Sequence, residues 1–468
     1  MNECGYSRFR ESVTFHIHLL LLTNIKKDAY SNYFTEIVAM TKIYTKLKLF
    51  YSQVTGNIGF FPSLIALLGL GFALLMLYIE QRGVSKYLIK NIPWLVINNA
   101  DTARTLLSTF IGGIISLMVF SFSMVMLLLN QASSNYSPRI LPGLISNKKH
   151  QYVLGFYIAV IIYCIIILLS IVPTDDKYQL PGFAVLIGII MSIHVLAAFI
   201  YFIHSISQAI QINNITDRIF CAARDRLQKL IDKEKEVQGV DIFDDISDWH
   251  GYTSTSSGYL NDIAFDSLSK LAKDCDISIK MLVSKGEFVL VDVPIVKVSK
   301  ELDEENQDIL QSCFGFSRSE IVKLNYVLGF KQLTEIALKA MSPGINDPGT
   351  AITCIDYLTE LFALRMLKKD KSYVVNDDRK AVVSLDTVDF DELIYYIFAS
   401  LRQYCKADFI MMTKMLTSLY YLKNVETIDD HYKEVINTQG QLIYEDARAF
   451  IKNKTDLQNI DELAQKFK

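Results

Sequence analysis

Residues 106–129 read LLSTFIGGIISLMVFSFSMVMLLL, a run without a single Asp, Glu, Lys or Arg. A helix needs about 20 apolar residues to cross the roughly 30 Å hydrocarbon core of a bilayer, so this run is long enough to span. Three other stretches match it: Ile58 to Ile79, Tyr152 to Val172 and Phe183 to Ile203. A fifth apolar run, Val13 to Thr23, is too short and carries His16 and His18. The expected fold class is therefore a membrane α-helical bundle of four transmembrane helices, followed by a C-terminal cytoplasmic α+β domain.

Composition agrees with that division. The chain of 468 residues is 51% hydrophobic yet 21% charged, with a mean hydropathy of +0.25. Nearly all the long apolar runs precede residue 205, and most of the charge follows it. A net charge of −3 argues against nucleic-acid binding, which leaves a basic excess. The seven cysteines form no CxxC pair, so neither a zinc site nor a disulfide framework is expected. Scattered thiols suit a reducing cytosol.

Four spans return the chain to its starting side. Lys42, Lys46 and Lys48 precede the first span, and Arg139, Lys148 and Lys149 lie between the second and third. Asp175 and Asp176 occupy the loop between the third and fourth. By the positive-inside bias, the expected location is the bacterial inner membrane with both termini cytoplasmic. Arg82, Lys86, Lys90 and Arg104 in the first loop run against this. The expected domains are an N-terminal extension (1–54), a transmembrane domain (55–204) and a helical connector with an acidic loop (205–256). A small β module (257–300), a mainly helical soluble domain (301–425) and a charged helical tail (426–468) follow. Residues 1–39 are expected to be dispensable if translation starts at Met40 rather than Met1.

Candidate functional residues of the membrane part fall in four places. In the second span Thr109, Ser116, Ser123 and Asn130 recur every seven residues, two helical turns apart, so they share one face. Such a stripe either packs helices closely or lines a pore. The polar run Ser133, Ser134 and Asn135 with Pro138 and Arg139 follows at the membrane boundary. His194 lies in mid-span, where an ionisable residue is either functional or bonded to its own helix. In the fourth span Ala184, Gly188 and Ser192 make a small-residue packing face.

In the soluble part, Ser342, Pro343, Gly344, Asn346, Asp347 and Pro348 form a corner between two helices. Asp is a favoured N-cap and Pro a favoured first helical residue. The corner is thus a capped turn, or else a binding corner that uses Asn346 and Asp347. Ile277, Ile279 and Met281 alternate as in a half-buried strand, and Lys285-Gly286 turns the chain. A structural barrel is the simplest reading of that module. Val382 to Leu385 reads as a further strand. No phosphate loop, HExxH or GxSxG is present. No enzyme activity, metal or cofactor is expected.

These motifs resemble a bacterial family of predicted membrane proteins, domain of unknown function 2254. The resemblance is carried by FFPSLIALL (60–68), ADTARTLLSTF (100–110), ASSNYSPRIL (132–141) and VLGFYIAVIIYC (153–164). SGYL (257–260), KGEFVLVDVPI (285–295) and above all ALKAMSPGINDPGTA (337–351) extend it over about residues 55–425. It implies a four-span cytoplasmic-membrane protein and supplies no activity. Where the family carries an acid before a Phe-Gly-like stretch, Asn325 and Leu328-Gly329 stand here. Together these features suggest an oligomeric channel or transport protein with a cytoplasmic gating domain. It would be embedded in the lipid bilayer as a homo-oligomer and handle an ion or small molecule. A membrane-anchored sensor or scaffold, whose soluble domain binds a ligand or partner, is the alternative.

Overall fold

The computed structural model describes residues 59–91, 97, 99–135, 148–171, 180–235, 246–318, 325–375 and 381–467. The N-terminal extension, Pro138 and Arg139 lie outside the described residues. The chain forms two compact units, divided within helices: Met1–Ser123 with Ile145–Ile203, and Met124–Leu144 with His204–Lys468.

The first unit contains α1 (Phe60–Gln81), α2 (Val84–Asn91), most of α3 (Ala100–Asn135), α4 (Lys148–Ser170) and most of α5 (Gly182–Ile210). Of these, α1, α3, α4 and α5 are long and apolar enough to cross a membrane. Small residues set the closest packing, that of α1 on α4. A Cβ on Gly69 would lie 2.6 Å from Ala159 Cβ, and one on Gly155 would lie 3.0 Å from Pro62 Cα. Tyr163 of α4 stacks on Phe72 of α1. Helix ends leave backbone groups without intrahelical partners, and here side chains take several of them. At the start of α5, Ser85 Oγ accepts from the Phe183 N–H (2.9 Å) and Glu80 Oε1 from the Ala184 N–H (2.8 Å). At the end of α4, Arg104 donates to the Ile171 carbonyl (3.0 Å).

The second unit mixes helices and sheets. Its strands are β1 (His250–Thr253), β2 (Gly258–Ile263), β3 (Ile279–Met281), β4 (Phe288–Val289), β5 (Pro294–Val298), β6 (Phe314–Ser317), β7 (Lys371–Val375) and β8 (Ala381–Asp386). They make two open sheets rather than the expected barrel, ordered β1-β5-β3-β8-β7 and β4-β2-β6. All pairings are antiparallel except β3 with β8, where Ile279 stands opposite Val383. The run 288–298 is broken because Asp292 adopts a left-handed conformation (φ 65°), which sends β4 and β5 to different sheets. Helices α7 (Phe265–Asp274) and α8 (Glu304–Ser312) close this module, whose core includes Leu268, Ile279, Val298, Leu310 and Val383. The module therefore exceeds the expected 257–300: β1 comes from the expected connector, and β6 and β7 join the expected strand at Val382–Leu385, now β8, from the segment expected to be mainly helical.

The larger core of this unit is helical. It is built from α6 (Ile212–Lys235), α9 (Tyr326–Ala340), α10 (Pro348–Arg365), α11 (Phe390–Cys405), α12 (Phe409–Lys423), α13 (His431–Phe450) and α14 (Lys454–Gln465). Their starts are written locally. Asn325, Asp347, Asp389, Asp408 and Asn453 each stand at an N-cap and accept a backbone N–H of the following turn. The charged tail is an integral part of this core. Tyr432, Ile436, Ile443 and Ala447 bury one face of α13, and Ile460 of α14 joins them.

Candidate functional site

On α3 the buried positions of the first unit are Ala103, Leu107, Ile114 and Ser121. At 100° per residue they define one narrow face, and Thr109, Ser116 and Ser123 fall on the opposite one. All three are exposed, as is Asn130. A Cβ on Gly112 or Gly113 would meet nothing within 4 Å. Among the described residues, no helix packs over this stripe. Thr109 Oγ1 donates to the Thr105 carbonyl (2.7 Å) and Ser116 Oγ to that of Gly112 (3.0 Å), so these hydroxyls are satisfied within the helix. Asn130 differs from the other three in belonging to the second unit, with Leu129 packed against the helical core. Ser133, Ser134 and Asn135 form the last turn of α3. His194 is exposed on α5 with Nδ1 2.8 Å from the Ile190 carbonyl, a contact within one helix. The small face of α5 is buried, with Gly188 against Leu107, Tyr163 and Cys164.

The interior of the first unit carries polar groups that were not singled out in the sequence. His150, Tyr157 and Cys164 recur every seven residues along one face of α4, and all are buried. His150 lies edge-on to Phe202, the Tyr157 hydroxyl faces Ser121, and the Cys164 thiol faces Ser192. Their only sequence signal is the same sevenfold spacing that marks the α3 stripe.

In the second unit the corner joins α9 to α10. Ser342 accepts the N–H groups of Ile345 and Asn346 at its carbonyl (both 3.0 Å), and Asp347 N–H returns to Ala340 (2.8 Å). Asn346 adopts φ 49°, a left-handed conformation that Asn tolerates better than most residues. Asp347 Oδ1 accepts the Thr350 N–H (3.1 Å), and Oδ2 accepts the Thr350 hydroxyl. Those bonds from Thr350 hold the Asp347 carboxyl below the usual carboxylate range. Residues 343–349 are exposed. The geometry is that of a capped turn, with both Asp347 oxygens engaged.

A buried ionic network ties α6 to the end of α10. Arg365 and Lys368 are both fully buried. Arg365 donates to the carbonyls of Lys368 (2.7 Å) and Val388 (2.9 Å) and pairs with Asp370. Lys368 Nζ lies 2.7 Å from Glu234 Oε1 and donates to the Lys369 carbonyl (2.6 Å). Burial pushes the Lys368 ammonium down, and Glu234 partly restores it. Two cations face two carboxylates, so the network balances its own charge and leaves none for an anionic ligand. Nearer the surface, His431 Nε2 lies 2.8 Å from Asp391 Oδ2, and Nδ1 lies 3.7 Å from Glu434 Oε2. Among the described residues, no group of three or more His, Cys, Asp or Glu side chains is arranged to hold a metal ion.

These features define a protein with four helices of membrane-spanning length joined to a mixed helix–sheet unit. The chain belongs to the family of predicted membrane proteins called domain of unknown function 2254, whose model matches residues 55–421. An uncharacterized protein of Mycobacterium bovis is 23% identical over 442 residues, covering 90% of this chain and 81% of the relative. An uncharacterized protein of Mycobacterium tuberculosis matches to the same extent. No solved structure matches the chain.

Proposed function

We propose that this chain is a homo-oligomeric channel or transport protein of the bacterial inner membrane, with its second unit on the cytoplasmic side as a gate. The outward stripe of α3 carries the proposal. Thr109, Ser116 and Ser123 sit opposite the helix's own packing face, beside the open surface over Gly112 and Gly113. Lipid tails gain nothing from such a surface, whereas a second α3 packs closely on small residues, and a ring of copies turns the hydroxyls inward. No catalytic step is proposed. Single-channel recording of the purified protein in planar bilayers, with Ser116→Leu and Ser123→Leu beside it, tests the reading. Discrete currents changed by both substitutions support it. Silence across voltage, tension and pH, from folded and inserted protein, rejects it.

A membrane-anchored sensor or scaffold is the second reading, favoured by the exposed corner at 343–349 and the outward side chain of Ile345. In that case Ser116→Leu alters assembly or nothing, and substitutions at Ile345 and Asn346 abolish partner binding.

A further inference from the structure

The second residue set recurring every seven positions points inward. His150, Tyr157 and Cys164 of α4 lie buried along one face, with Ser121 of α3 and Ser192 of α5 beside them. From His150 to Cys164 the helix rises about 21 Å, most of the roughly 30 Å hydrocarbon core. At the far end Tyr163 donates to the Ala184 carbonyl (2.8 Å), while Glu80 accepts the N–H of that same residue. A polar seam thus runs through the interior of one protomer, with a carboxyl at one end and an imidazole at the other.

Two hydroxyls in the middle of the seam mark it as more than packing. Tyr157 OH and Ser121 Oγ are fully enclosed, face each other, and make no well-formed hydrogen bond. The Gln151 amide beside His150 is likewise buried without a partner at either atom. Enclosing a polar atom unpaired in an apolar medium is unfavourable, and Phe and Ala would fill the same places without that penalty. Ionisable and polar groups held inside a membrane unit at such a cost mark proton and solute routes.

We propose that this seam conducts protons through the protomer, from Glu80 past Tyr163, Cys164 with Ser192, and Tyr157 with Ser121, to His150 and Gln151. Water molecules drawn to the unpaired hydroxyls bridge the intervals of about 10 Å between successive positions. The carboxyl, hydroxyl, thiol and imidazole groups each accept a proton on one side and give one up on the other, while the Gln151 amide only holds water, so none is changed by a full passage. The route needs one copy only and is independent of whether α3 lines a pore between copies.

The test uses the full-length protein in liposomes with a trapped pH dye and a potassium diffusion potential set by valinomycin. Proton entry is expected to exceed that of protein-free vesicles. Tyr157→Phe and Ser121→Ala should each slow it about tenfold or more, since each removes a hydrogen-bonding link. Both variants should stay folded and inserted, with melting in detergent within about 1 kcal/mol of wild type, because each removes one hydroxyl and leaves the apolar packing in place. Leu169→Ala, at a side chain of α4 that is 76% exposed and belongs to neither the seam nor the α3 stripe, should leave proton entry unchanged. Wild-type vesicles no faster than protein-free ones would overturn the proposal. So would undiminished flux through Tyr157→Phe and Ser121→Ala protein that is folded and inserted.

Discussion

His431 opens α13 with both ring nitrogens near carboxylates, Asp391 of α11 on one side and Glu434 on the other. The hydrogen bond to Asp391 is the main cause that raises its pKa above the usual 6.5; the Asp391 charge, Glu434 and Asp429 add to it. A histidine with a raised folded pKa stabilises fully below its unfolded value, and that contribution disappears as pH rises through the folded value. His431→Gln should therefore melt below wild type at about pH 6, and the gap should close by about pH 9. A gap independent of pH would mean that the ring acts by packing alone. The contrast with Arg365 and Lys368 is instructive. Those two are fully buried and paired with Asp370 and Glu234, yet a Lys and an Arg in a charged stretch read as surface residues. Only the fold brings Glu234, far away in sequence, to Lys368. The corner was different: Asp347 and Pro348 announced a capped helix start in their own residue types, and Thr350 completes it.

Among elements, the α1–α4 pair is fixed by glycine. A side chain at Gly69 meets the Ala159 backbone, with Cα at 2.7 Å, and a backbone cannot swing aside as a side-chain tip can. Gly69→Val should therefore force α1 off α4 and destabilise the first unit by about 1–3 kcal/mol, seen as a lower melting point in detergent. Gly112→Val, on the open face of α3, should leave the melting of a single chain within about 0.5 kcal/mol of wild type. Its effect should appear in cross-linked oligomer yield instead. Equal losses from both would place α3 inside the protomer after all. The spacing of small residues revealed that faces of close approach exist. It did not reveal which face meets a helix of the same chain, because a stripe turned inward and a stripe turned to a neighbour have the same composition. The sevenfold spacing on α3 and that on α4 show this: one is exposed and the other buried.

At the scale of the whole chain, α3 and α5 each run unbroken across the boundary between the two units. With 36 residues, α3 is about 54 Å long, roughly 24 Å more than a hydrocarbon core needs. α5 continues to Ile210; the chain breaks helix at Gln211, where the Gln208 carbonyl accepts Asn214 Nδ2 (2.7 Å), and α6 begins at Ile212. Hydropathy placed the end of the second span at Leu129, because leucines that face lipid and leucines that enter a soluble core look alike. Packing separates them: Leu129 lies against the helical core of the second unit, while Leu127 is 63% exposed. Leu129→Ser should consequently loosen the helical core, by about 1–2 kcal/mol for the apolar surface it returns to water. Hydrogen exchange along α6 and α10 should accelerate to match. Leu127→Ser should leave that exchange unchanged. If Leu129→Ser also leaves it unchanged, the end of α3 is not part of the second unit's fold, and only α5 and α6 link the apolar helices to the second unit.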